Sequence, residues 1–126
     1  MTRPLDPATP FAFVALPAER SLTKPRLAGL TMMMDWGLPL GQQRDWLDLQ
    51  SQYVDLAKFV VGTTRHYDTD YLTRKIKLSQ DHEIQPFIGG QVLEYVYAHQ
   101  GFAGAEQFSS RLIAWALRRS RYPTTT

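Results

Sequence analysis

Residues 53–67 read YVDLAKFVVGTTRHY, and this stretch decides the fold because it joins an apolar strand to a polar exit loop. The run from Val54 to Val61 is nearly continuous in apolar residues, which is typical of a strand in a parallel sheet. Lys58 interrupts the run, and a glycine and two threonines follow it. A buried ammonium group must find an anion or lose its proton, whereas one that points outward reaches solvent. The apolar neighbours of Lys58 leave both orientations open.

The rest of the chain repeats this alternation of apolar and helical segments. The predicted strands are 27–35, 54–61 and 83–88, and the predicted helices are 42–53, 69–82, 91–101 and 102–119. Thr69 is the predicted cap of the second helix. Strands that alternate with helices favour βα units and a parallel sheet. Five prolines within residues 1–26 predict an irregular leader.

Size and composition restrict the class of protein. With 126 residues and 44% hydrophobic content, the chain suits one domain with a core of its own. Cysteine is absent, which excludes disulfides and thiolate metal sites, and a cytoplasmic setting is expected. No apolar run is long enough to span a bilayer, and we expect no membrane partner.

The end of the chain differs in charge from its body. Residues 109–126 contain four arginines and no acid. A basic tail can attract nucleic acid, so a small basic binding module is one alternative reading. We expect no nucleic-acid partner, because nothing outside the tail supports one.

Polar or small residues follow each predicted strand, where a purely structural loop needs none. Asp35 ends the first strand, Lys58 lies in the second, Gly89 and Gly90 follow the third, and Glu94 comes one turn later. In folds of this kind the carboxyl ends of the strands gather the chemistry. Asp35 suits Mg²⁺ or a role as a turn acid. Lys58 suits an anion clamp or a general acid, and the glycines before a helix offer N–H groups to an anion.

Four stretches resemble, in order and spacing, the phosphosulfolactate synthase family. They are KPRLAGLTMMMDWGLPL (24–40), YVDLAKFVVGT (53–63), RKIKLSQDHEIQPFIGG (74–90) and LEYVYAHQG (93–101). The resemblance implies an α/β fold: a truncated (β/α)₈ barrel with about three βα units, parallel strands and an extra helix at its carboxyl end. It also implies the addition of sulfite to phosphoenolpyruvate, with Mg²⁺, which gives 2-phospho-3-sulfolactate and in methanogens begins coenzyme M synthesis.

The resemblance carries roles to particular residues. It implies Lys58 and Glu94 as catalytic, Asp35 as the metal ligand, and a structural role for Lys75. It implies that the substrate is bound by two glycine-containing loops; their residues are Gly62, Thr63, Gly89 and Gly90. In this picture the loops hold the enol phosphate, Mg²⁺ stabilises the enolate as sulfite attacks the methylene carbon, and a lysine protonates the carbanion.

The chain departs from the family pattern around these loops. It has Val60, Val61, Phe87, Ile88 and Gln91 where the family usually has glycine, tryptophan, tyrosine, proline and threonine. These changes leave open a non-enzymatic relative that acts as a stress-related or interaction protein.

The resemblance covers residues from about Lys24 to Phe108, and the tail departs from it. Read one base earlier, codons for AWALRRSRYPT (114–124) can encode LGFEAVEISDN, which resembles the family's fourth strand. We therefore hypothesise a frameshift after about Phe108. A (β/α)₈ barrel takes about 250 residues, and three strands leave an unpaired edge. We expect this fragment to be poorly stable or homo-oligomeric, and inactive alone.

Overall fold

The computed structural model describes residues 9–15, 21, 23–60 and 62–117, with side chains in the last helix described as far as Ala114. Several predictions fall elsewhere. Outside the described residues lie parts of the predicted leader (1–8, 16–20 and 22) and of the basic tail (118–126). Val61, at which the chain departs from the family pattern, also lies outside them.

Three strands form one parallel sheet in the order β1-β2-β3. The strands are β1 (Met32–Asp35), β2 (Leu56–Phe59) and β3 (Gln85–Ile88), and the helices are α1 (Leu40–Gln50), α2 (Thr69–Asp81) and α3 (Gly90–Leu117). Short 3-10 helices follow α1 at Ser51–Tyr53 and β2 at Thr63–His66. The predicted alternation with parallel strands is confirmed. The described strands form an open sheet, so a closed barrel stays a prediction.

The core lies between the sheet and the first two helices. One cluster joins α1 to the start of the sheet through buried apolar side chains: Leu47, Val54, Ala57 and Ile84. A second cluster joins α2 to the end of β2 through Phe59, Leu72 and Ile76. Because side chains alternate across a strand, only every second strand residue enters this core. The sheet is therefore covered on the face that α1 and α2 occupy.

The strands are shorter than predicted, and β1 shows the reason. It begins at Met32 rather than residue 27, because the preceding segment is held by Asp55. The Arg26 guanidinium lies 2.6 Å from Asp55 Oδ1 and also donates to the Gln52 carbonyl. The Thr31 amide donates to Asp55 Oδ2 at 2.9 Å. The end of the predicted leader is thus fixed against the amino-terminal edge of the sheet.

Helix α2 agrees with its predicted span of 69–82 to within one residue, whereas α1 (Leu40–Gln50) begins two residues and ends three residues earlier than the predicted 42–53. Asp68, not Thr69, caps α2, and its carboxylate accepts from the Tyr71 amide at 2.8 Å. An aspartate at this position satisfies an amide that the helix leaves free. The two predicted helices at the end of the chain form one kinked element, α3, whose break is at Gly101 (φ 66°, ψ −158°).

Within the described residues, no helix combines the length and the apolar character that crossing a bilayer requires.

Candidate functional site

The two faces of the sheet differ in what covers them. Met34, Lys58 and Phe87 are register partners across the three strands and point away from α1 and α2. Met34 is 49% exposed and Phe87 is 39% exposed. Met32 occupies the same face of β1 and is 41% exposed. We call this surface, formed by Met32, Met34, Leu56, Lys58, Gln85 and Phe87, the open face of the sheet.

Lys58 lines a pocket of 210 Å³ at the carboxyl end of the open face. The other walls of this Lys58 pocket come from all three strand ends: Met34, Trp36, Val60, Gly89, Gly90 and Gln91. Among the residues that the structure describes, no carboxylate forms a salt bridge with Lys58. The ammonium group is thus the one cationic group in a wall that is otherwise neutral. Such a site attracts an anion.

Because Gly89 has no side chain, it leaves room for the Lys58 side chain beside it. A Cβ at residue 89 would lie 2.9 Å from Lys58 Cε and 3.2 Å from the Phe59 carbonyl oxygen. A side chain at that position therefore displaces the lysine or strains the backbone. At Gly90 a Cβ would meet nothing within 4 Å. The two glycines are not equivalent, and Gly89 is the one that the lysine requires.

The amides of the two glycines also differ. The Gly89 amide donates to the Phe59 carbonyl at 2.9 Å, so it continues the sheet and does not face a ligand. The Gly89 amide is therefore engaged within the sheet, and a part of Gly89 in substrate binding stays a prediction. Gly90 opens α3, whose first turn lies beside the Lys58 pocket. The first amides of a helix lack intrahelical acceptors and carry partial positive charge.

Asp35 lies on the opposite face of the sheet from Lys58. Its Oδ2 is 2.8 Å from Lys75 Nζ, and both side chains are almost fully withdrawn from solvent. Its Oδ1 accepts from the Gly37 and Leu38 amides, each at 2.8 Å. The Lys75 ammonium also donates to the Leu38 carbonyl. This ion pair ties the loop after β1 to α2, which supports the structural role that the resemblance implies for Lys75.

The magnesium site that the resemblance implies does not fit this arrangement. Both carboxylate oxygens of Asp35 are engaged by the chain itself, and a cation there would have to replace the Lys75 ammonium. No group of three or more histidine, cysteine or acidic side chains within the described residues is placed to hold a metal ion. Mg²⁺ therefore remains an expectation from the resemblance, without a ligand assigned here.

Gly62 and Thr63 belong to the loop after β2 but do not line the Lys58 pocket. Gly62 adopts φ 70°, a left-handed conformation that favours glycine and turns the chain out of the strand. A Cβ at Gly37 would lie 3.8 Å from Thr63 Cγ2 and 3.7 Å from the Tyr67 hydroxyl, so both side chains lie beside the loop after β1. Burial, and then the charge of Asp35, raise the pKa of Tyr67. The structure thus places Thr63 with the Asp35 group, and a role in substrate binding stays a prediction.

Glu94 is exposed on α3 and is not among the residues that line the Lys58 pocket. No salt bridge within the described residues includes Glu94. Its catalytic role stays a prediction.

The sequence pattern identified Lys58 and the glycines but did not assign Trp36 and Val60 to the site. Trp36 is 63% exposed and lines the Lys58 pocket. The signal was its position directly after a strand, at the end where loops carry function.

Comparison with known proteins identifies the family. Residues 19–112 match the family described as (2R)-phospho-3-sulfolactate synthase (ComA). The chain belongs to this phosphosulfolactate synthase family.

Curated members of the family align with part of the chain. It is 34% identical to the phosphosulfolactate synthase of Methanothermobacter thermautotrophicus over 74 residues, which is 59% of this chain and 29% of that protein. It is 36% identical to that of Methanocaldococcus jannaschii over 74 residues, or 59% and 30%. It is 37% identical to that of Bacillus subtilis over 71 residues, or 56% and 27%. The chain therefore spans less than a third of the length of these relatives.

Proposed function

We propose that this chain forms the first three βα units of a (β/α)₈ barrel that adds sulfite to phosphoenolpyruvate to form 2-phospho-3-sulfolactate. The observation that carries the proposal is the position of Lys58. Its ammonium lies at the carboxyl end of a parallel strand, on the open face, beside the start of α3. In (β/α)₈ enzymes this end of the strands holds the active site.

The chemistry assigned to Lys58 has two parts. Its charge holds one anionic group of phosphoenolpyruvate, assisted by the first amides of α3. As the sulfite sulfur forms a bond to the methylene carbon, the electrons of the double bond move to the neighbouring carbon. Lys58 delivers a proton to that carbon, and the phosphate ester remains intact.

The walls of the Lys58 pocket suit a planar substrate. The lining residues supply a charged partner for only one of its two anionic groups. Met34, Trp36 and Val60 offer apolar surface, and Lys58 is the one charged side chain among the lining residues. Phosphoenolpyruvate carries both a carboxylate and a phosphate. We infer that the second anionic group is held by parts of a complete barrel that these three units do not supply.

The open face favours a second candidate function, in which the chain acts as a non-enzymatic interaction protein of the same family. Met32, Met34 and Phe87 expose apolar surface on one side of the sheet. A contiguous apolar patch of this kind marks contact with another protein chain. A second copy of the chain, giving a homo-oligomer, is the simplest partner.

A chimera separates the two candidates. The segment of Methanocaldococcus jannaschii phosphosulfolactate synthase that aligns with this chain over 74 residues is replaced by the sequence of this chain. Mass spectrometry then follows the formation of 2-phospho-3-sulfolactate from phosphoenolpyruvate and sulfite, with Mg²⁺ supplied. If this segment is enzymatic, the chimera forms the product.

The Lys58→Gln chimera tests the assigned role. General acid catalysis contributes about 10²- to 10⁴-fold to a rate, and we expect a loss of that order. The control is Lys77→Gln, because Lys77 is exposed on α2, where it pairs with the exposed Asp81. A folded chimera without activity favours the interaction protein, and full activity in the Lys58→Gln chimera rejects the role of Lys58.

A further inference from the structure

We propose that a cavity between α2 and α3 binds a small amphiphilic anion, with its apolar body between the helices and its carboxylate or sulfonate group on Arg65 and Arg111. The cavity has a volume of 380 Å³. Small-molecule sites in proteins have volumes of about 300–1,000 Å³. We call it the α2–α3 cavity.

The kink in α3 shapes the α2–α3 cavity. Gly101 leaves helical geometry, and the chain beyond it returns against the preceding turn. A Cβ at residue 104 would lie 2.5 Å from Gln100 Cβ and 3.1 Å from Val96 Cγ1. Gly104 therefore permits a close approach that a larger residue prevents, and both segments of α3 contribute to the walls.

The walls of the α2–α3 cavity are mainly apolar. They include Leu72 of α2, Ile88 of β3, and Val96 and Leu112 from the two segments of α3. An apolar body placed there removes apolar surface from water on several sides, which favours binding.

The charged groups of the α2–α3 cavity are both cations. Arg65, from the loop after β2, and Arg111, from α3, are among the lining residues, and no acidic residue is. Arg26 and Arg74 each pair with a carboxylate. Neither Arg65 nor Arg111 forms a salt bridge within the described part of the chain. Guanidinium groups without a carboxylate partner favour an anion, and their planar fork matches a carboxylate or a sulfonate.

The α2–α3 cavity is separate from the Lys58 pocket. The two share no lining residue, and Leu72 and Ile88 place the cavity on the helix-covered side of the sheet. Binding there does not depend on the reaction proposed for Lys58.

The test uses the 126-residue chain and the probe 8-anilinonaphthalene-1-sulfonate. Its fluorescence gives the affinity, and ¹⁵N–¹H correlation spectra of the labelled protein locate the bound molecule. We expect saturable binding at one site, spectral changes at Val96, Leu112 and their neighbours, and displacement by decanoate. Arg65→Gln combined with Arg111→Gln weakens binding about ten-fold or more, since hydrogen bonds to charged groups are the stronger class.

Two further variants keep the test decisive. Arg74→Gln is the matched control on α2, and its affinity stays within about two-fold of wild type because Arg74 lies outside the cavity and pairs with Asp70. Val96→Phe fills the cavity and abolishes binding without a change of charge.

Three results overturn the proposal. They are an unchanged affinity in the double arginine variant, an unchanged affinity in Val96→Phe, and displacement by an acidic amphipathic peptide but not by decanoate. The last result assigns the cavity to a protein partner instead.

Discussion

The Lys75 ammonium lies 2.8 Å from the Asp35 carboxylate, and both groups are buried beneath the carboxyl end of the sheet. This pair joins the last residue of β1 to the middle of α2. It also holds the loop that carries Trp36 toward the Lys58 pocket, because Lys75 and Asp35 both bind Leu38.

Removal of the Lys75 ammonium leaves a buried carboxylate without its counterion. We expect Lys75→Met to lower the free energy of unfolding by about 3–5 kcal/mol, measured by urea denaturation. Asp35→Asn combined with Lys75→Met loses less than Lys75→Met alone, because no uncompensated charge remains. Lys77→Met is the control and changes stability by less than about 1 kcal/mol, since its partner Asp81 is exposed. An additive double variant contradicts the pairing.

The Asp55 carboxylate makes the free energy of unfolding depend on pH in the acidic range. Burial alone raises its pKa, but the Thr31 amide and the Arg26 guanidinium outweigh this and hold the pKa of Asp55 below its usual value. Because the pKa is lower in the folded state, this stabilisation is complete above the unfolded value, about 3.9. It is lost as pH falls through the folded value.

Denaturation midpoints at a series of pH values test this dependence. We expect Asp55→Asn to be less stable than wild type at neutral pH, and the difference to shrink below about pH 4. Asp70→Asn is the control, because Asp70 is 81% exposed. A difference that does not change with pH rules out the contribution of Asp55.

The two glycines before α3 respond differently to alanine. Gly89→Ala places a methyl group against Lys58 and the Phe59 carbonyl, and we expect a loss of about 1–3 kcal/mol in unfolding free energy. It also displaces the Lys58 side chain from its position. Urea denaturation of both glycine variants measures the losses. Gly90→Ala is the matched control and changes stability by less than about 0.5 kcal/mol, since open space surrounds that position. Equal losses in the two variants contradict the asymmetry.

We expect the open face of the sheet to promote self-association. We expect the sedimentation coefficient of the chain to rise with concentration, because apolar side chains and the unpaired edge of the sheet lie together. Met34→Gln combined with Phe87→Gln shifts association to higher concentration. Leu49→Gln serves as control, since Leu49 is 70% exposed on α1, away from the open face. A chain that sediments as a monomer at every concentration contradicts this prediction.

The sequence pattern predicted the order of the elements because each type of element has its own local period. Residues 54–61 are apolar enough to form a strand, and residues 69–82 have helical spacing. The apolar character of the strands did not show on which face of the sheet each side chain lies. A strand that is apolar on both sides does not show which residues point to the helices, so the pattern did not reveal that Asp35 and Lys58 lie on opposite faces of the sheet.

The sequence pattern did not predict the long-range ion pairs, for a different reason. Asp35 and Lys75 are 40 positions apart, and nothing local marks them as partners. The same holds for Arg26 and Asp55, which convert the end of an apparently loose leader into part of the fold. Such contacts depend on how strands and helices stack, and only a three-dimensional arrangement brings them within hydrogen-bond distance.

The sequence by itself determined the α/β alternation, the parallel strands and the family, because periodicity and motif order are local properties of a chain. The tertiary structure alone decided the side of the sheet on which each side chain lies. In β1 and β2 the alternating direction of successive residues places Asp35 against Lys75, beneath the sheet. It places Lys58 on the open face, over Gly89. That alternation follows from the pleat of the strand, but its phase is fixed only when the helices cover one face.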